Sequence, residues 1–202
     1  MPAVVLTGAR QTGKSTLARM LTDPPRRFLT LDDLDVLDLA RRDPEALTTY
    51  PEPVTIDEVQ REPRLLLAIK QAIDRQRRPG RFLLTGSANL LLMQRVSESL
   101  AGRASYLTLW PMTRREQEGL GRCGLWEELW YLDDRDWPER LHQELDRPAD
   151  WRLLARRGGF PVPAVHLQQP EQRAIWFEGY VHTYLERDLQ QLSTITALPD
   201  FR

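Results

Sequence analysis

The chain has 202 residues, 41% hydrophobic and 28% charged. That is room for one sizeable domain, alone or with a small appendage, and it argues against wholesale disorder. Twenty-eight basic residues against 29 acidic ones leave a net charge of −1, so no global basic field supports nucleic acid as a partner or attraction to an anionic membrane. No apolar stretch approaches the ~20 residues of a membrane span, and the start, MPAVVLTGAR, lacks the basic segment of a secretory signal. The single cysteine, Cys123, excludes an internal disulfide framework and a cysteine zinc cluster. A cytoplasmic location is the expectation.

Short apolar runs alternate with helix-like segments up to about residue 115. Ala3–Thr7 reads as a buried strand. Gly13–Leu21 reads as a helix closed by Pro24 and Pro25. Phe28–Leu31 is the second strand, and Asp33–Arg42 a helix. Prolines 44, 51 and 53 lead to a third strand, Val54–Ile56. Pro63–Arg75 is an amphipathic, leucine-rich helix and Arg81–Thr85 the fourth strand. Asn89–Glu98 is a helix and Ala104–Leu109 the fifth strand. Strands alternating with helices imply an α/β layered domain built on a parallel sheet. The strands are apolar throughout, as expected when both faces are covered.

After Trp110 the pattern changes. All six tryptophans lie from 110 onward, and charged helical patterns replace strands. The expected organisation is a core over residues 1–115, a helical, tryptophan-rich segment over 116–157, and the start of a C-terminal domain over 158–202. The second boundary falls at Gly158-Gly159, and the last helix runs from Pro170 to Leu192 behind its proline. The chain ends at ALPDFR without a closing element, so a truncated domain is the expectation.

Gly8-Ala9-Arg10-Gln11-Thr12-Gly13-Lys14-Ser15 fills every fixed position of GxxxxGK[ST], between a strand and a helix, with Thr16 next. Glycines let the backbone wrap with N–H groups turned inward on a phosphate. The start of the following helix adds partial positive charge. Lys14 reaches the β- and γ-phosphates of ATP, and the Ser15 hydroxyl ligates Mg²⁺. Lysine occurs only at 14 and 70, so a compact ammonium stands where arginine dominates elsewhere. Arg10 and Gln11 either orient the loop or face solvent.

The third strand ends in Asp57-Glu58. Asp57 is placed to hold Mg²⁺ through water, and Glu58 to orient and polarise an attacking water as a general base. Acidic residues also start turns and cap helices, but the preceding phosphate loop favours the catalytic reading. At the end of the fourth strand stands Thr85-Gly86-Ser87-Ala88-Asn89. Ser87 or Asn89 is the candidate to touch the γ-phosphate and the water, with Thr85 behind. Capping of the next helix is the competing role.

The series GARQTGKST, TIDEVQ, RFLLTGSANLLL and SESLAGRA resembles the AAA+ ATPases, and more closely the prokaryotic ATPases that carry a C-terminal domain of unknown function. GGFPVP and YVHTYLERDL resemble the junction into that domain. The resemblance implies a P-loop NTPase sheet of five parallel strands ordered 5-1-4-3-2, flanked by helices and followed by a mainly helical segment. It also implies Asp57-Glu58 as Walker B and residues 85–89 as sensor 1. Family members are about twice this length and continue into winged-helix-like and restriction-endonuclease-like regions, which this chain stops before. Nothing of those regions carries over to the residues present.

Arg103 stands where the family's LAGR motif places an arginine. It is a candidate finger on a γ-phosphate of its own or a neighbouring subunit, the latter in a homo-oligomer. A surface or carboxylate-paired arginine is the alternative. Arg75, Arg77, Arg78 and Arg81 form a basic cluster, read as a solvated turn rather than a phosphate-backbone contact. Trp176, Phe177, Tyr180 and Tyr184 read as a packing stripe. The histidines show no ligand spacing, so no metal beyond Mg²⁺ is assigned, and Cys123 is read as structural.

The leading function is Mg²⁺-dependent ATP hydrolysis that switches or remodels a protein partner or a C-terminal domain. A GTPase is excluded, because neither lysine lies in an NKxD motif. A small-molecule phosphotransferase shows no acceptor pocket. A non-hydrolysing ATP-binding regulatory module remains the main alternative.

Overall fold

The computed structural model describes residues 1–21, 23–87, 99–120, 125–143 and 149–183. The expected helix at Asn89–Glu98, together with Asn89, Cys123, Tyr184 and the end of the last helix, lies outside them. The chain divides into two units, Met1–Trp110 and Pro111–Arg202.

The first unit holds five strands: β1 (Ala3–Thr7), β2 (Arg27–Thr30), β3 (Val54–Asp57), β4 (Phe82–Thr85) and β5 (Ala104–Thr108). All pair in parallel, in the order β2-β3-β4-β1-β5. This is the expected 5-1-4-3-2 arrangement. Helices α1 (Lys14–Met20), α2 (Leu34–Arg42) and α3 (Leu65–Arg75) supply the crossovers described.

Side-chain alternation along each strand builds two cores. Ala3, Val5, Val54, Ile56, Phe82 and Leu84 face one side, where α2 and α3 deliver Leu37, Ile69 and Ile73. Leu6 and Leu83 face the other, under Ala18 of α1. Each fully buried leucine, isoleucine or phenylalanine contributes about 1.5–3 kcal/mol, so the apolar strands are what fixes the sheet between its helices. Asp33 caps α2 by accepting from the N–H groups of Asp35 and Val36, which starts that helix one residue later than the sequence pattern predicts.

The basic cluster closes the end of the sheet where the strands begin. Arg81 donates to the carbonyls of Ala72, Gln76 and Thr48. Arg78 reaches the Pro51 carbonyl and Arg77 that of Gly102. Arg26 joins them on Val54 and Gly80. These guanidinium groups satisfy backbone acceptors around the strand starts.

The second unit is helical where described: α4 (Arg114–Gln117), α5 (Leu125–Tyr131), α6 (Trp137–His142), α7 (Trp151–Arg157) and α8 (Pro170–Thr183). Thr113 and Glu116 form a reciprocal capping box on α4. The Gly158-Gly159 pair sits against the start of this unit. The Met112 N–H donates to the Gly159 carbonyl at 2.7 Å, and a Cβ on Gly159 would lie 2.6 Å from the Met112 oxygen. Phe160 then packs on Trp176, Phe177 and Tyr180, with centroids 4.8–6.3 Å apart, so the described part of the aromatic stripe is a packing surface. Among the described residues, no helix is long and apolar enough to cross a membrane.

Candidate nucleotide site

In a parallel α/β sheet the loops after the strands gather at one end, and that is where ligands bind. The loop after β1 meets the ends of β3 and β4 there. Its path needs unusual backbone: φ is 148° at Gly8, 61° at Gln11 and 96° at Gly13. A Cβ on Gly8 would lie 2.3 Å from the Leu109 carbonyl oxygen, so only glycine lets β1 turn this close to the segment after β5.

The loop's carbonyls are held from within. Lys14 Nζ donates to the oxygens of Gly8 and Ala9 at 3.1 and 2.6 Å, and Thr12 Oγ1 donates to Ala9 O at 2.9 Å. Lys14 is buried. Burial lowers its affinity for a proton, while the carboxylates of Glu58 and Asp57 pull the other way. No side chain caps the first turn of α1, which leaves its N–H groups available to an anion. Gln11 and Thr16 are exposed and Arg10 is half-buried.

Asp57 closes β3 and is buried. Its Oδ1 accepts from Ser15 Oγ at 2.9 Å and from Thr85 Oγ1. Its Oδ2 lies 3.4 Å from the donor Thr30 Oγ1. The ends of β2, β3 and β4 and the first turn of α1 thus each send a hydroxyl or carboxylate to one point. Glu58 follows with φ 59° and ψ 41°, a left-handed conformation uncommon for a side chain of this size and typical of strained functional positions. Its N–H donates to Thr85 Oγ1 at 3.4 Å, and its carboxylate accepts from Gln60 Nε2. Burial, then Asp57 and Asp32, push its pKa above the usual carboxylate range.

Residues 1–118 match the family model described as an AAA domain. The chain belongs to the AAA domain family. Two uncharacterized mycobacterial proteins, from Mycobacterium tuberculosis and Mycobacterium bovis, are each 36% identical to it over 194 residues. The match covers 95% of this chain and 37% of each relative, so the chain spans a little over a third of their length. Membership points to nucleotide binding of the ATPase kind.

Within this AAA domain, the sequence-expected groups Gly8, Gly13, Lys14, Ser15, Asp57 and Glu58 gather at one end of the sheet. Thr85 touches Asp57 directly, whereas Ser87 is buried just beyond it. Arg103 is not brought there. It precedes β5, and its carbonyl accepts from Ala3 N, at the start of β1. The phosphate loop leaves the far end of β1, five residues away at about 3.3 Å each. Arg103 Nε and Nη2 bind Asp74 of α3 in a bidentate pair at 2.7 and 2.9 Å. Arg103 is thus a carboxylate-paired arginine in this structure. Thr30, Asp32 and Gln60 escaped the sequence reading. Thr30 and Asp32 arrive because β2 lies beside β3, and only the strand-end position of a polar residue could have signalled them.

Proposed function

We propose that this AAA domain binds ATP with Mg²⁺ at the loop after β1 and hydrolyses it with water. The supporting observation is that Lys14, Ser15, Asp57 and Glu58, drawn from two separate strand-to-helix connections, meet at one end of the sheet. The backbone of Gly8 to Thr16, through Ala9, Arg10, Gln11 and Thr12, would hold the polyphosphate, with the Lys14 ammonium on the β- and γ-phosphates. The Ser15 hydroxyl, and through water the Asp57 carboxylate 2.9 Å from it, would hold Mg²⁺ with the hard oxygen donors such an ion takes. Bound there, the ion would neutralise charge between the β- and γ-oxygens. Ser87 or Asn89 is assigned the γ-phosphate end.

In the hydrolysis step, a water oxygen bonds to the γ-phosphorus and the bond from that phosphorus to the bridging oxygen breaks. ADP leaves, and the water's proton goes to Glu58 and then to solvent. We assign the cycle the role of a conformational switch on a protein partner or a C-terminal domain.

A second reading has one observation in its favour. The Arg103–Asp74 pair leaves Arg103 committed away from the loop, which suits a module that holds ATP and signals by occupancy. Turnover of Mg²⁺·ATP by the purified chain and by Glu58→Gln separates the two. Hydrolysis predicts activity that falls at least ~10²-fold in the variant with ATP binding retained. ATP bound by both proteins with turnover in neither would leave the occupancy reading, and equal measurable rates would retire Glu58 as the base.

A further inference from the structure

Gln60 lies two residues after Glu58, inside the short turn Val59–Arg61 that starts directly from the left-handed Glu58. Its amide nitrogen donates to the Glu58 carboxylate. Its amide oxygen, Oε1, is buried and has no hydrogen-bond partner among the described residues. A buried carbonyl without a donor destabilises the folded state, and native proteins avoid such groups unless something is gained. A glutamine placed for packing would satisfy both ends of its amide or face solvent. Here one end is satisfied by Glu58 alone and the other is left unmet. Glu58 itself holds a strained backbone, and among the described residues Gln60 is the one side chain that donates to its carboxylate.

We propose that Gln60 is a positioning residue, whose amide N–H fixes the orientation of the Glu58 carboxylate for proton abstraction from the attacking water. This rests on the reading of Glu58 as general base. Two consequences distinguish it from a structural residue. Removing the amide deletes a buried unpaired acceptor, which offsets the bond lost to Glu58, a half-buried carboxylate that water can then reach, so the fold does not weaken. Activity is lost only through Glu58, so nothing further is lost once Glu58 is gone.

The test uses Gln60→Met, of similar length and without polar hydrogen-bonding atoms at its tip, and Gln60→Glu, which keeps the shape, loses the donor and adds a like charge. Each is made alone and combined with Glu58→Gln. Thermal midpoint, Mg²⁺·ATP affinity and kcat are measured on the 202-residue chain. Gln60→Met is expected to melt at or above the wild-type temperature and to keep its ATP affinity. Its kcat should fall roughly 10- to 100-fold, the scale of one hydrogen bond to a charged group. Gln60→Glu should lose kcat likewise, and neither change should slow the Glu58→Gln protein further. Wild-type kcat in both variants would overturn the proposal. So would a lower midpoint or failure to fold in Gln60→Met, weakened ATP binding, or losses that multiply with Glu58→Gln. If wild type and Glu58→Gln turn over alike, the general-base reading fails and takes this one with it. If only the Gln60 variants match wild type, this inference alone fails.

Discussion

Ser15 and Asp57, 42 positions apart, are joined side chain to side chain at 2.9 Å. The bond ties the first turn of α1 to the end of β3. It places an uncharged oxygen beside a carboxylate at the mouth of the phosphate loop, where a cation would draw both oxygens toward itself.

Ser15→Ala removes one of those oxygens and leaves Lys14 and the loop backbone intact. ATP affinity measured with Mg²⁺ should weaken by about 10-fold or more, the scale of a lost charge-assisted contact. Affinity measured with a chelator present should stay near the wild-type value. Equal weakening under both conditions would show that the hydroxyl serves the loop rather than a metal.

Gly8 carries the closest backbone approach in the site. Gly8→Ala sets a methyl group 2.3 Å from the Leu109 oxygen at a φ of 148°, and both obstacles are main chain. The variant should lose about 2 kcal/mol or more of stability, read from the urea midpoint at unchanged slope. A shift below ~0.5 kcal/mol would mean that the turn relaxes freely.

Much of this site was legible because its determinants are local. GxxxxGKS names a loop whose chemistry follows from consecutive residues, and the apolar strands announce a sheet covered on both sides. What was not legible in the residues themselves depends on which strand ends lie side by side, an order that only the family resemblance implied. Thr30 reaches Asp57 only because β2 pairs with β3, and Thr85 only because β4 flanks β3 on the other side. Neither fact is written in the spacing around those threonines. Arg103 shows the converse: the motif left a finger and a carboxylate pair both open, and only the fold shows Asp74 beside it at the strand starts. The arginine run before β4 likewise reads as a surface feature until the carbonyls it ties together are seen.

Glu62 gives the fold a pH dependence. It is buried, accepts from Arg64 Nε at 2.8 Å, and lies 3.8 Å from Arg41 of α2. The Arg64 hydrogen bond holds its carboxyl below the ordinary value of 4.5. A carboxylate with a depressed folded-state pKa contributes stability that is present above the unfolded value and disappears as pH falls through the folded one. Glu62→Gln should therefore be less stable than wild type at neutral pH, and the gap should close on acidification below 4.5. Denaturant midpoints across that range check it, and a gap independent of pH would contradict it.

Arg103→Ala breaks the pair with Asp74 far from the loop. ATP affinity of the variant should stay within about twofold of wild type, as expected for sites without shared partners. A larger loss, measured by titration of Mg²⁺·ATP, would require Arg103 to reach the nucleotide. Mixing Arg103→Ala with Lys14→Ala protein tests the action between chains: recovered turnover would show that the Asp74 pair opens to a neighbour's nucleotide.

On the proposed function, the loop after β1 grips the polyphosphate of ATP through its backbone and Lys14. Calorimetric titration of Mg²⁺·ATP into wild type and Lys14→Ala tests it most directly. Wild type should bind and, at ATP a hundredfold above its Kd, gain about 2.7 kcal/mol of stability, whereas Lys14→Ala should show neither effect. Equal affinity and equal stabilisation in the two proteins would contradict the account.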